Sequence, residues 1–119
     1  MIRNATRDSV LATDERWART VGARTRGLLD SDGLADGEAL VISPCTSVHM
    51  FGMRFPLDVV FVRKDGRVLR AIRNLKPWRF TRIYFTAKHT IELPVGVIEA
   101  SGTMPGDQLE WDDPDAATS

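Results

Sequence analysis

The run Leu57-Asp58-Val59-Val60-Phe61-Val62, closed by Arg63-Lys64-Asp65-Gly66, limits the folds open to this chain more than any other feature. Val59 to Val62 is apolar at every position, and in a strand successive side chains leave on opposite faces. Such a strand must be covered from both sides. Asp-Gly tolerates positive φ in a tight hairpin, so Arg67 to Arg73 is expected to return antiparallel to it. The fold therefore centres on a sheet that is buried on both faces. With 119 residues and 43% hydrophobic content the chain can build one such core, so a single domain over residues 1–119 is expected.

Around that strand the chain reads mainly as β-structure. Residues 1 to 12 alternate weakly and predict one or two short strands, with a turn near Arg7 to Ser9. Thr13 or Asp14 can cap a helix, with Asp14 and Glu15 at its positive end. Trp17, Val21, Thr25 and Leu28 fall at helical spacing, which predicts an amphipathic helix over about residues 14–30, packed on the sheet. Ala39 to Ser43, Ser47 to Phe51, His89 to Leu93 and Gln108 to Trp111 are expected strands, and Val97 to Ser101 one helical turn. Residues 112–119 form a polar tail expected to be frayed. One early helix followed by many short strands predicts an α+β fold, an antiparallel sandwich or barrel with the helix on it. No glycine-rich loop follows a strand, which argues against a doubly wound nucleotide-binding fold, and no cofactor is implied.

Charge is sorted along the chain. Residues 54–88 carry ten Lys or Arg against Asp58 and Asp65, whereas residues 89–119 carry seven acids and no base. Either the acidic end folds against the basic middle, or a basic face is left for an anionic partner. One cysteine cannot close an internal disulfide. The charged N-terminus does not read as a signal peptide, and no run approaches the ~20 apolar residues of a membrane span, so a cytoplasmic location is expected.

The residues with chemistry crowd into Pro44 to Gly66. Cys45, Ser47 and His49 alternate, so an extended segment would point them to one side, where an imidazole could activate the thiol. No orienting third group or oxyanion hole has recognisable spacing. Asp58 can bind a ligand, with Arg54 as a partner, or accept backbone N–H bonds where Pro56 bends the chain. Glu92 is flanked by apolar residues and either lines a shallow pocket or faces water. Cys45, His49, His89 and Asp58 have no diagnostic metal spacing, so no metal site is assigned. Met50, Phe51, Met53 and Phe55 form an adaptable apolar cluster, core or groove. Finally, Arg70, Arg73, Lys76, Trp78, Arg79 and Arg82 interleave cations with rings, as grooves for single-stranded nucleic acid do. The neutral overall charge argues against nucleic acid.

Several landmarks occur in order: Arg26-Gly27-Leu28-Leu29, then His49 to Phe61, Asp65-Gly66, Ile91-Glu92-Leu93-Pro94-Val95-Gly96, and Pro105-Gly106-Asp107. Over roughly residues 10 to 111 this pattern resembles the bacterial and archaeal family called domain of unknown function 192. Many members have Trp-Met-Lys-Asn-Thr where this chain has Met50-Phe51-Gly52-Met53-Arg54, so it resembles a subgroup. The resemblance implies a small jelly-roll-like sandwich and no established activity. The residues themselves point to a non-catalytic domain that binds a small molecule or protein partner through His49, Met53, Arg54, Asp58 and Glu92, with the adjoining segment 70–88. The alternatives are an enzyme or metal protein using Cys45, His49 and Asp58, and a weak binder of single-stranded nucleic acid.

Overall fold

The structure, a computed structural model, describes residues 1–20 and 33–112. The elements are β1 (Ile2–Asn4), β2 (Ser9–Ala12), β3 (Asp14–Ala18), β4 (Glu38–Ile42), β5 (Leu57–Val62), β6 (Val68–Leu75), β7 (His89–Leu93), α1 (Val97–Ser101) and β8 (Leu109–Trp111). Among the described residues they make two sheets, β2-β1-β8 and β3-β4-β7-β5-β6, and no closed barrel.

β5 lies between β7 and β6, antiparallel to both, and all six of its residues are buried, as its apolar run predicts. One face of its sheet, with Val41, Val60, Val62, Ile91 and Leu93, packs on Ile2 and Leu109 of the smaller sheet and on Ile98 of α1. The other face, with Leu40, Ile42, Leu57, Val59 and Phe61, packs under Val48, Met50, Met53 and Ala87 from two irregular segments. The Asp65–Gly66 hairpin also forms as expected, with Gly66 at φ 88°. A Cβ there would drive into the carbonyl oxygen of Leu109, so the position needs glycine for space as well as for conformation.

Three expectations change. Asp14–Ala18 is not the start of a helix but strand β3, parallel to β4 in the register Asp14↔Glu38 to Ala18↔Ile42. Pairing with the open edge of β4 outweighs the local capping signals, and Trp17 points inward by strand alternation rather than helical spacing. Residues 21–30 of the expected helix, and 113–119 of the expected tail, lie outside the described residues. The larger sheet is consequently mixed, where an antiparallel one was expected. Ser47–Phe51 is not a regular strand; it is tied only by the isolated bridge His49↔Phe80.

Two buried carboxylates hold the layers together. Asp58 Oδ1 accepts the N–H of Asn74 at 2.9 Å, while Oδ2 accepts those of Gly96 at 3.1 Å and Ile98 at 3.0 Å. The carboxylate thereby fastens β6 at Asn74, whose φ is 53°, and supplies acceptors at the start of α1. Asp107 Oδ2 accepts from Asn4 Nδ2 at 3.0 Å, Arg7 Nε at 3.1 Å and Met104 N at 3.1 Å, joining the β1–β2 turn to the turn before β8. Burial alone would raise the Asp107 carboxyl, but the bonds from Arg7, Asn4 and Met104, with the Arg7 charge, overcome it and hold the group below its usual 3.8.

Two outcomes are expected. Asp58→Ala strands three backbone donors, so urea unfolding should show a loss of about 3 kcal/mol, with Asp58→Asn intermediate. Because the Asp107 carboxyl is depressed in the folded state, its stabilisation is present above the ordinary aspartate value and lost as pH falls through the folded one. The stability gap between wild type and Asp107→Asn, followed by thermal melting, should therefore narrow as the solution is acidified below about pH 4.

Candidate functional site

The second face of the central sheet is covered by residues 43–56 and 76–88, which cling to one another through backbone bonds. Met50 N donates to Arg79 O at 2.7 Å, Trp78 N to Met50 O at 2.8 Å, Thr81 N to Val48 O at 2.9 Å and Tyr84 N to Thr46 O at 2.8 Å. Val48 and Met50 are thereby turned into the core, and His49 and Phe51 outward. The outward rings meet those of the partner segment. His49 stacks on Phe51 at 5.1 Å between centroids, and Phe51 lies 6.2 Å from Trp78 and 6.3 Å from Phe80.

This cluster stays open to water. Phe51 is 49% exposed, Trp78 67% and Phe80 73%, and further along the same segment Phe85 is 84% exposed. Soluble domains usually expose large apolar side chains singly, so a contiguous group of rings is a candidate interaction surface. Trp78 is held at φ 68°, a left-handed conformation that bulky side chains seldom adopt. Around the rings the chain places exposed Arg54, Lys76, Arg79 and Arg82, with Arg70 and Arg73 exposed on β6. Among the described residues none of these six forms an ion pair.

The other expected site residues are dispersed. Cys45, Ser47 and His49 line one cleft of ≈ 310 Å³ together with Arg19 and Thr20. The Cys45 thiol donates to the Ser47 carbonyl at 3.0 Å. Asp58 lies on the opposite face of the sheet, engaged with α1, so it does not join Cys45 and His49. Met53 is buried in the core under the cover rather than exposed in a groove. Glu92 neither lines a shallow pocket nor faces water: it is 0% exposed on β7, with Leu40 and Val59 as cross-strand neighbours. Among the described residues no three His, Cys, Asp or Glu side chains gather as a metal-binding group. Phe51 and Phe80 were legible as part of an apolar or basic-aromatic stretch, but nothing in the sequence says which rings turn outward.

Comparisons with known proteins agree on the fold and establish no activity. The model of the DUF192 family, described as "Uncharacterized ACR", matches residues 2–111. A UPF0127 protein of Thermococcus sibiricus is 31% identical over 94% of this chain and 75% of its own length. One of Pyrococcus furiosus is 43% identical over 55% of each. A solved protein of unknown function from Novosphingobium aromaticivorans superposes with a TM-score of 0.71 at 27% identity, covering 82% of this chain and 74% of that one. A candidate transcription regulator from Sinorhizobium meliloti superposes with a TM-score of 0.68 at 24% identity, over 81% and 79% of the two chains, and shares the fold. These sequence relatives are archaeal and these solved structures bacterial, so they do not assign the chain to bacteria. No described helix is long and apolar enough to cross a membrane.

Substitutions should separate surface from core. Phe80→Ala is expected to change unfolding free energy by no more than about 0.5 kcal/mol, whereas Met50→Ala should cost about 2–5 kcal/mol. Trp78→Gly should be neutral or stabilising, because it relieves the left-handed backbone. Urea midpoints of the three variants check the division.

Proposed function

Since the chain belongs to the DUF192 family, whose description is uncharacterised, we propose on physical grounds that it is a non-catalytic binding module. Its working surface is the open cluster of His49, Phe51, Trp78 and Phe80 with the flanking cations Arg54, Lys76, Arg79 and Arg82. The observation that carries this reading is the mutual packing of three large rings that remain about half or more exposed. Trp, Phe and Arg are the residue types from which protein interfaces draw most of their binding energy. The cations have no described carboxylate partner, so the best complement is a protein surface that offers apolar side chains ringed by Asp and Glu. A jelly-roll-like relationship between the sheets would suit this role, as a rigid scaffold presenting two irregular segments. The enzyme reading is the weaker one, because its third residue, Asp58, is spent on backbone N–H groups across the sheet.

Single-stranded nucleic acid is a second reading, favoured by exposed rings beside arginines that form no ion pair among the described residues. In-cell photo-crosslinking distinguishes the two. A photoreactive phenylalanine analogue at position 80 should give a discrete protein adduct that Arg79→Glu with Arg82→Glu abolishes. The same analogue at Val10, an exposed apolar position on β2, should not give it. A nuclease-sensitive adduct would favour nucleic acid instead. Identical patterns at positions 80 and 10 would remove the surface from consideration.

A further inference from the structure

The most exposed large apolar side chain among the described residues is Phe85, and the backbone around it holds it there. Ala87 N donates to Tyr84 O at 2.9 Å, which closes a tight turn with Phe85 and Thr86 at its centre. Both ends of that turn are tied down. Tyr84 N donates to Thr46 O at 2.8 Å and Lys88 N to Val62 O at 2.9 Å, while the Tyr84 ring packs 4.6 Å from Phe61 and Ala87 is buried. The core thus takes Tyr84 and Ala87 and leaves Phe85 standing at the apex, with exposed Ile83 on the other side of Tyr84.

Turn centres favour Gly, Pro, Asn, Asp and Ser, so the turn gains nothing from a phenylalanine at this position. Among the described residues no ring contact joins Phe85 to Phe51, Trp78 or Phe80. The ring stands on a turn apex rather than in a groove, and a lipid interface accepts such a projection without offering a matching pocket. Charges at its foot suit the same surroundings. Thr86 lines one hollow with Arg63, Lys64 and Asp65, and Lys64 and Lys88 line another together. Asp65 engages Arg63 at 3.5 Å, and Glu110 shares a further hollow with Lys64 and Asp65. Lys64, Lys88 and exposed Arg82 form no ion pair among the described residues, so cations exceed acids around the tip. Proteins that rest on a membrane combine an inserted apolar anchor with cations over anionic headgroups, each too weak to hold alone.

We propose that the Tyr84 to Ala87 turn is a membrane-contact tip. Phe85 and Ile83 enter the headgroup region of a bilayer that contains anionic lipid, and Lys64, Lys88 and Arg82 meet its charged headgroups. The tip shares only Arg82 with the surface around Phe51, Trp78 and Phe80, so either can fail without the other. The test is flotation of the whole chain with vesicles of phosphatidylcholine and phosphatidylserine in equal amounts, and with vesicles of phosphatidylcholine alone. Wild type should bind the mixed vesicles, and bind phosphatidylcholine alone about tenfold or more weakly. Phe85→Ser lies outside the core and should keep the wild-type urea midpoint, yet weaken binding to mixed vesicles about tenfold. Phe85→Trp, whose ring also favours the interface, should retain binding, and so should Phe80→Ser. Lys64→Ala with Lys88→Ala should weaken it about tenfold or more. No binding to mixed vesicles, equal binding to both kinds, binding unchanged in Phe85→Ser, or binding lost in Phe80→Ser and kept in Phe85→Ser would overturn the proposal.

Discussion

Everything in this fold follows from having to bury β5 on both sides. All six of its residues are covered, and the two covers are unlike each other. On one side lie regular elements, the small sheet and α1, while on the other lie two loops that carry Val48, Met50, Met53 and Ala87 inward. A loop segment that turns alternate residues into a core turns the intervening ones out. The exposed His49 and Phe51 are thus a geometric by-product of anchoring Val48 and Met50, and selection can use such positions without disturbing the core.

Asp58 is where the two-sided burial is most exacting, because it puts a carboxylate inside the strand. A charge there is tolerable only with its lone pairs filled, and three backbone N–H groups fill them. The same bonds set the left-handed Asn74 and the start of α1. This carboxylate is therefore a joint between β5, β6 and α1. Asp107 performs the corresponding task for the small sheet, tying Asn4 and Arg7 to the turn at Met104.

The β-elements with strong local signals were readable in the sequence: the apolar run of β5, its Asp-Gly hairpin, β7 ahead of Pro94, and the single turn of α1. The alternative of Asp58 as a backbone acceptor was readable too, from Pro56 and the bend. What local pattern could not supply was partnership. Asp14–Ala18 carries helix-capping residues, yet it pairs with β4, a choice made by an open strand edge 24 residues away in register. Glu92 looked half-exposed because nothing in Ile91-Glu92-Leu93 announces a second cover over that face.

The central claim is that this chain keeps its aromatic-basic face open for a partner while its buried carboxylates serve structure. Hydroxyl-radical footprinting of the protein, purified and inside its native cells, tests it directly. Phe51, Trp78 and Phe80 should label readily in the purified protein and be protected in cells, while Val10 and Met104, exposed at 47% and 48%, should label alike in both. Equal labelling of the three rings in both settings would contradict the account.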